Sequence, residues 1–218
     1  MGSRVEWKYI YEKICRELHI DCKTDNASAE RLGTIKNHSN ILMKRLKHLQ
    51  SRNFLVVGNS PHVDMNSFVK TVRPDEIVAV ADSAIRVIPP FFIPHIIISD
   101  LDGDVLKIQN MVRSGSVLFI HAHGDNMDKI QHNTEDFSGL FIPTRQGERP
   151  EYMYNPMGFT DGDRAVRICR DLGAKNIRLF GFSYDNPYGK GDIELKRKKL
   201  AIAKIIIESI DDVNITYV

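Results

Sequence analysis

Short apolar runs alternate in this sequence with longer segments that have the apolar spacing of a helix. The runs are residues 54–57, 77–81, 96–98, 117–120 and 177–182, and residues 213–218 form a candidate edge strand. Runs without polar alternation indicate strands that are buried on both faces. Helix-length segments, such as 104–113, 161–172 and 193–210, fit crossover helices between parallel strands. We therefore predict a three-layer α/β fold with a mostly parallel sheet.

The first 50 residues have a different pattern. Apolar residues recur at helical spacing across residues 6–18 and again across 41–49, with a polar stretch at 21–26 between them. We assign residues 1–50 to an amino-terminal helical cap or arm that carries no candidate chemistry, and residues 51–218 to an α/β catalytic domain. Such a segment can also serve as a dimerisation arm, so a homo-oligomeric protein stays an open alternative.

Composition limits the kinds of partner. The formal net charge is +2, which is too close to zero to indicate nucleic acid. The sequence has an odd number of cysteines, Cys15, Cys22 and Cys169, and their spacing is not that of a metal site. This usage is typical of a protein in the reducing cytosol. No apolar run approaches the ~20 residues of a membrane span, and the amino terminus has no signal-peptide pattern. We expect a cytoplasmic protein that binds neither nucleic acid nor membrane.

Three carboxylates follow the apolar run 96–98 at every second position, as Asp100, Asp102 and Asp104. In an extended chain alternate side chains share a face, so Asp100 and Asp102 are expected to project together, roughly 7 Å apart. Carboxylates that close repel unless a proton or a cation intervenes. Mg²⁺ accepts such ligands together with water and substrate phosphates. The carboxyl end of a buried strand is also where open α/β sheets bind ligands.

Other interpretations of this motif remain. A calcium-binding EF-hand loop is excluded, because Val105 and Met111 occupy the positions that require glycine and glutamate. The motif is similar to the Asp-x-Asp-Gly-Thr of haloacid-dehalogenase phosphatases, although two strands precede it here and Asp104 replaces the hydroxyl residue. A phosphatase, a sugar-nucleotide transferase with an Asp-x-Asp site, a non-catalytic nucleotide-binding module and a simple polar turn stay open.

Residues 121–126, His-Ala-His-Gly-Asp-Asn, are similar to the His-x-His-x-Asp-His motif of metallo-β-lactamase-type hydrolases. Asn126 stands in the place of the last histidine, and His132 is the only histidine after it in the sequence. A two-zinc site would therefore lack ligands. We favour His123 and its neighbours as polar groups that line a substrate cleft.

A helix is predicted to begin after Thr160. Thr160 is a favourable N-cap, and Asp163 three residues later makes an approximate capping box. Asp161 lies four residues before the apolar Ala165, so it shares the inward face of the helix. The helix dipole alone accounts for Asp163 but not for an inward Asp161 followed by Arg164. This pattern indicates a binding site at the start of the helix.

Two further segments are weaker signals. The loop Gly58-Asn59-Ser60-Pro61 follows the first strand, where glycine lets backbone amides approach a phosphate or a substrate ring. It matches neither the Gly-x-Gly-x-x-Gly nor the Walker A pattern, so a plain turn fits equally well. The basic stretch 196–199 is typical of a solvated surface. The alternative interpretation is that these residues lie near a bound triphosphate.

Taken together, the motifs resemble one family, the archaeal 6-hydroxymethyl-7,8-dihydropterin pyrophosphokinases, which are distant relatives of thiamine pyrophosphokinases. The resemblance covers residues 54–184 and leaves out the amino-terminal helices. The first loop departs from the family pattern, which is richer in glycine, because Ser60 and His62 stand here. The motifs that carry the resemblance are Gly58-x-x-Pro61, Ala81-Asp82-Ser83-Ala84, Ser99-Asp100-Leu101-Asp102-Gly103, His121-x-His123-Gly124-Asp125-Asn126, Thr144-x-Gln146 and Gly158-Phe159-Thr160-Asp161-Gly162-Asp163-Arg164-Ala165.

The resemblance implies a Rossmann-like domain that transfers a diphosphate from ATP to a hydroxymethyl pterin, with Mg²⁺ and with release of AMP. It implies metal ligands at Asp100, Asp102 and Asp161, and a catalytic phosphate contact at Arg164, where the thiamine relatives have lysine. The hydroxyl proton goes either to Asp125 or to solvent after activation by the metal. Another hydroxymethyl acceptor, such as thiamine, stays open. The implied substrate- or nucleotide-binding residues are Gly58, Asn59, Ser60, Asp82, Ser83, His123, Asn126, Gln146, Thr160 and Asp163.

Overall fold

The structure is a computed structural model that describes residues 4–49, 52–124, 126–148, 150–188 and 191–218. The amino-terminal segment is helical, as predicted, but it has three helices where the sequence predicted two, and strands and helices then alternate. The helices are α1 (Arg4–Leu18), α2 (Cys22–Thr34), α3 (Ser39–Lys47), α4 (Met65–Thr71), α5 (Val105–Arg113), α6 (Met127–Asn133), α7 (Asp161–Asp171) and α8 (Ile193–Glu208). The strands are β1 (Asn53–Val57), β2 (Ile77–Ala81), β3 (Ile96–Ser99), β4 (Val117–His121), β5 (Phe141–Thr144), β6 (Asn176–Phe180) and β7 (Asn214–Tyr217).

Within the described part of the chain, seven strands form one sheet in the order β5-β4-β3-β2-β1-β6-β7. Every neighbouring pair is parallel, which confirms the predicted α/β class. Strands β2 to β5 extend the sheet on one side of β1, whereas β6 and β7 lie on its other side. The winding direction therefore changes between β1 and β6. A crevice opens at the carboxyl ends of the strands at such a point.

The strands are buried on both faces because helices cover both. Leu55 and Val57 of β1 belong to one hydrophobic cluster, and Phe54 and Val56 belong to the other. This alternation is the two-residue period of a strand. The first cluster includes side chains of α2, α4 and α5, and the second includes side chains of α3, α7 and α8.

The amino-terminal helices share these clusters with the sheet. Leu32 of α2 lies in the first cluster and Leu46 of α3 in the second, while Trp7 of α1 packs with Phe159 and Ile206 in a third. The division into domains at residue 50 stays a prediction.

Several sequence predictions need correction. The stretch 21–26, predicted as a polar link, is mostly helical: Asp21 caps α2 by accepting a hydrogen bond from the backbone N of Lys23 at 2.9 Å. Cys15 and Cys22 form a disulfide that joins the end of α1 to the start of α2, which the odd cysteine count did not indicate. Cys169 is free and buried. Among the described residues, no helix combines the length and apolar character that crossing a bilayer requires.

Candidate active site

Polar residues lie at the carboxyl ends of neighbouring strands, as the sequence predicts. Gly58 follows β1, Asp82 follows β2 and Asp100 follows β3, while His121 ends β4 and Thr144 ends β5. Since all of these strands are parallel, the residues line one edge of the sheet.

Three carboxylates meet at this edge. Oxygen atoms of Asp82, Asp100 and Asp161 all lie within 4.8 Å of one another, and we call these residues the carboxylate cluster. In the described residues, no other group of three His, Cys, Asp or Glu side chains comes this close together. Asp82 is only 3% exposed, and the side chains of Asp100 and Asp161 are each 21% exposed. The cluster therefore concentrates negative charge at a largely buried place.

The surroundings disfavour this charge. Burial, together with the charges of Asp100 and Asp102, raises the pKa of Asp82 to about 7. Burial and the Asp100 charge also raise the pKa of Asp161 well above its usual value, against the opposing effect of Arg164. Burial raises the pKa of Asp100 as well, but the hydrogen bond and charge of His123 help to outweigh it and leave that pKa lowered. A bound cation relieves such repulsion.

The cluster has room and free ligand atoms for a hard cation. Oδ1 of Asp82 is buried and has no hydrogen-bond partner within the described part of the chain. Gly103 makes space for that oxygen, because a Cβ atom at Gly103 would overlap with it. A donor set made of carboxylate oxygens is the one that Mg²⁺ prefers. These residues fit a magnesium site.

Asp102 lies differently from its predicted position. Strand β3 ends at Ser99, and Leu101 has a left-handed backbone with φ of +60°. The expectation of an extended backbone through Asp100 and Asp102 is therefore wrong, although the two carboxyl groups interact with each other as expected. Asp102 is exposed, and its backbone N donates to Oδ1 of Asp100 at 3.3 Å. Its role as a metal ligand stays a prediction.

Ser99 orients the cluster, and sequence reasoning assigned it no such role. Its hydroxyl donates to Oδ2 of Asp82 and accepts from the backbone N of Leu101 at 2.8 Å. One buried serine therefore connects the end of β2 to the turn after β3.

The start of α7 places two charged side chains beside the cluster. Nη1 of Arg164 donates to Oδ1 of Asp161 at 2.7 Å, and its Nη2 donates to the carbonyl of Phe159 at 3.1 Å. Asp163 is fully buried and accepts from the backbone N atoms of Phe159 and Thr160, so the predicted capping box is confirmed. Asp163 therefore holds the start of the helix and does not reach the cleft.

Helix α2 reaches the site through Asp25, which sequence reasoning missed. Oδ2 of Asp25 accepts from the hydroxyl of Tyr11 and from Nε2 of Gln146, the latter at 2.7 Å. Its Oδ1 accepts from the backbone N of Gly124 at 2.7 Å. Oε1 of Gln146 in turn accepts from Nη2 of Arg164 at 3.4 Å. A chain of hydrogen bonds thus connects the amino-terminal helices to the carboxylate cluster.

Two cavities meet at the cluster. The first, which we call the aromatic cavity, has a volume of about 250 Å³ and lies between the ends of β1 and β6. The second, the polar cavity, has a volume of about 490 Å³. Residues that line the aromatic cavity include Gly58, Asn59, Ser83, Phe182, Tyr184 and Tyr188. Residues that line the polar cavity include Asp25, Asp100, His121, His123, Gln146 and Arg164.

The family model described as 6-hydroxymethylpterin diphosphokinase MptE-like matches residues 28–188, which is most of the chain. The chain belongs to this family. Relatives named 6-hydroxymethyl-7,8-dihydropterin pyrophosphokinase include one from Pyrococcus furiosus, 33% identical over 93% of this chain and 92% of the relative. Another, from Methanocaldococcus jannaschii, is 31% identical over 95% of each chain. The suspected resemblance is confirmed, and the chain is a member of a family of kinase-type diphosphotransferases.

Hydrogen bonds made by Asn126 hold the loop of the histidine-rich segment 121–126 against the residue that follows β3. Nδ2 of Asn126 donates to the carbonyls of Asp100 and His121, each at 2.9 Å, and its Oδ1 accepts from the backbone N of His123 at 2.9 Å. Asn126 is buried and shapes the loop. His121 is also buried, and burial lowers its pKa well below the usual value, so its ring is neutral. Asp125, the predicted catalytic residue between them, lies outside the described residues.

Six of the ten predicted binding residues line the two cavities. Gly58, Asn59 and Ser83 line the aromatic cavity, and His123 and Gln146 line the polar one. Ser60 is buried and lines neither of the two; its carbonyl accepts from Nη2 of Arg86 at 2.6 Å. Thr160 lines both cavities. The residues predicted from distant sequence motifs therefore come together around one site.

Proposed function

We propose that this protein transfers a diphosphate group from ATP to the hydroxymethyl group of 6-hydroxymethyl-7,8-dihydropterin, with Mg²⁺ as the cofactor. The products are the pterin diphosphate and AMP. The observation that carries the proposal is the position of the carboxylate cluster between two cavities, in a chain of the diphosphokinase family. The names of the curated relatives support the pterin as acceptor.

The reaction is a displacement at phosphorus. The hydroxymethyl oxygen forms a bond to the β-phosphorus of ATP, and the bond from that phosphorus to the oxygen shared with the α-phosphate breaks. AMP leaves with that oxygen and the bonding electrons, and the proton of the hydroxyl is released to solvent, directly or by way of Asp125. Such a transfer depends mainly on aligned reactants and on positive charge near the phosphate oxygens.

Asp82, Asp100 and Asp161 would hold the cation, with Asp102 as a further carboxylate beside them. When bound, Mg²⁺ neutralises charge on the phosphate oxygens. Each of these three carboxylates has its own hydrogen-bond or ion-pair partner. The hydroxyl of Ser99 donates to Asp82, and Nε2 of His123 lies 3.3 Å from Oδ2 of Asp100. Arg164 forms an ion pair with Asp161.

Arg164 has a second role in the proposal. Its guanidinium group is only 2% exposed and is held by Asp161, Phe159 and Gln146. Such a fixed cation in the wall of the polar cavity stabilises negative charge without rearranging during the reaction.

The test is to incubate the protein with ATP, Mg²⁺ and 6-hydroxymethyl-7,8-dihydropterin and to separate the products. AMP and pterin diphosphate are expected in equal amounts, with none in EDTA. The variant Asp82→Asn should lose this activity, while Asp211→Asn, at an exposed carboxylate, should keep it. Formation of ADP, or faster transfer to thiamine than to the pterin, would contradict the proposal.

A further inference from the structure

Lys199 occupies a special position between the two cavities. Of the residues that line the aromatic cavity, three also line the polar cavity: Thr160, Asp161 and Lys199. Asp161 belongs to the carboxylate cluster, and Thr160 caps α7. Lys199 comes from a different helix, α8, and is the cation of the three.

The spacing of α8 explains this position. Lys196, Lys199, Leu200 and Ala203 line the aromatic cavity, and the offsets of three, four and seven residues place them on one face of the helix. Leu195 and Lys199, four residues apart, line the polar cavity. Lys199 lies where the two faces meet, so its side chain borders both cavities.

The charge of Lys199 is not used by the protein itself. The side chain is half-buried, yet among the described residues its ammonium group makes no hydrogen bond or ion pair. Lys196 differs, because its Nζ donates to the carbonyl of Tyr188 at 3.1 Å. Arg164 differs as well, because it already forms an ion pair with Asp161. Lys199 therefore has three donor hydrogens available for a ligand.

We propose that Lys199 is a phosphate-binding residue at the junction of the two cavities, where its ammonium group contacts the diphosphate as it passes from donor to acceptor. This inference rests on the proposed function. In a displacement at phosphorus the diphosphate lies between donor and acceptor, so with these in the two cavities it lies at the shared wall, where the other charged residue, Asp161, is negative. A lysine is suited to this place because its charge is compact and its stem flexible, so it can follow a moving group.

The experiment compares Lys199→Gln and Lys199→Arg with the matched control Lys198→Gln. Lys198 is the next residue on α8, is exposed and lines neither cavity. Binding is measured by calorimetry with Mg²⁺ and the α,β-methylene analogue of ATP, which cannot transfer its diphosphate. Lys199→Gln should weaken binding about tenfold, Lys199→Arg should keep most of it, and Lys198→Gln should match the wild type.

Turnover provides the second measurement. Lys199→Gln should lower kcat roughly 10²-fold, the usual size for loss of one group that stabilises transition-state charge. Melting temperatures establish that each variant is folded, and Lys199→Met, which keeps the aliphatic stem, replaces the glutamine variant if that one is not.

The outcomes separate the two proposals. If AMP forms normally and Lys199→Gln behaves like Lys198→Gln in both measurements, the inference about Lys199 is overturned while the function stands. If the pterin is not an acceptor but Lys199→Gln still weakens analogue binding, the acceptor is wrong and Lys199 remains a phosphate-binding residue. If AMP forms but the wild type does not bind the analogue, turnover decides, and an unchanged kcat in Lys199→Gln overturns the inference about Lys199.

Discussion

Oδ1 of Asp82 occupies the space that a side chain at Gly103 would need. Asp82 begins a short 3-10 helix after β2, and Gly103 lies in the turn after β3, the strand that pairs in parallel with β2. Because glycine has no Cβ atom, the turn after β3 can close over the Asp82 carboxylate. The geometry of the carboxylate cluster therefore depends on a residue that carries no functional group.

This relationship makes Gly103→Ala a specific test. The added methyl group should push Oδ1 of Asp82 away, without removing any charge and without a left-handed backbone to strain. We expect the Mg²⁺ concentration needed for half-maximal activity to rise at least about tenfold, since ligand position controls metal binding. In an Asp82→Ala background the clash disappears, so there Gly103→Ala should leave the melting temperature almost unchanged. An unchanged Mg²⁺ requirement would contradict the assignment of Asp82 to the metal site.

The raised pKa of Asp82 predicts a pH dependence of stability in metal-free protein. Its pKa is about 7 in the folded state and 3.8 as its ordinary value, so between these limits the folded state binds more protons. Stability should therefore fall as the pH rises from about 4 to 7, by at most about 1.4 kcal/mol per unit from this group. Asp161 adds to the effect in the same direction.

The measurement is the melting temperature in EDTA across this range. With rising pH, the melting temperature of the wild type should fall relative to that of Asp82→Asn, which has no carboxyl group to ionise at this position. Mg²⁺ should raise the melting temperature of the wild type most above pH 7. A difference that does not change with pH would contradict the raised pKa.

Asparagine substitutions distinguish the metal ligands. Asp82→Asn and Asp100→Asn should each lower kcat/KM by about 10²-fold or more, because each would remove a charged ligand of the proposed Mg²⁺ site. Asp102→Asn should cost about tenfold, because its exposed carboxylate acts on the cluster through its charge. Steady-state kinetics at several Mg²⁺ concentrations provide the test. Equal losses for Asp100→Asn and Asp102→Asn would instead support Asp102 as a direct ligand.

Arg164→Ala should affect both stability and activity. It leaves Asp161 without its cation in a largely buried place, which we expect to cost about 3 kcal/mol. Turnover should fall by roughly 10²- to 10³-fold. Arg164→Lys should recover only part of both, because one ammonium group cannot reproduce the contacts to Asp161, Phe159 and Gln146.

Arg170→Ala, on the same helix, is the control for this arginine. Arg170 pairs with Asp212, whose side chain is 50% exposed, so its loss should cost no more than about 1 kcal/mol. Turnover of that variant should be normal. Thermal melts and product assays of the three variants provide the test. Normal turnover in Arg164→Ala would contradict the proposal that Arg164 stabilises charge on the phosphates.

Asp25→Ala tests whether the amino-terminal helices take part in the site. The substitution leaves the hydroxyl of Tyr11, Nε2 of Gln146 and the backbone N of Gly124 without their common acceptor. We expect kcat/KM to fall about tenfold or more, because unpaired buried donors are costly and the wall of the polar cavity is free to shift. Glu30→Ala, at an exposed position of the same helix, should behave like wild type. If both variants turn over normally, the helices only cover the core.

The sheet was predictable because its strands are buried on both faces, and such strands stand out as uninterrupted apolar runs. Residues 77–81 coincide with β2 for this reason. Strand β5 was missed because Pro143 interrupts a short run; the strand is at an edge of the sheet, where proline is tolerated. Helix α2 was missed because few of its residues are apolar: among those buried are Asp25 and Ser28 as well as Ala29 and Leu32.

The composition of the site was less predictable than its location. Asp82, Asp100 and Asp161 could each be singled out, but which carboxylates meet depends on how the turns are built. Leu101 adopts a left-handed backbone that no pattern in the sequence signals, so the chain from Asp100 to Asp102 is not an extended strand. Asp25 contacts residues 99 and 121 positions away, a distance that periodicity and motif spacing do not address.

The first turn of α7 combines several roles in four residues. Asp161 belongs to the carboxylate cluster, Asp163 secures the backbone at the helix start, and Arg164 stabilises Asp161. Local fraying of this turn, which needs less free energy than global unfolding, would therefore dismantle the cation site in one event. Bound cation in turn opposes fraying by mass action. Amide hydrogen exchange at the start of α7 and affinity for the proposed cation therefore both depend on the equilibrium between the folded and the frayed first turn.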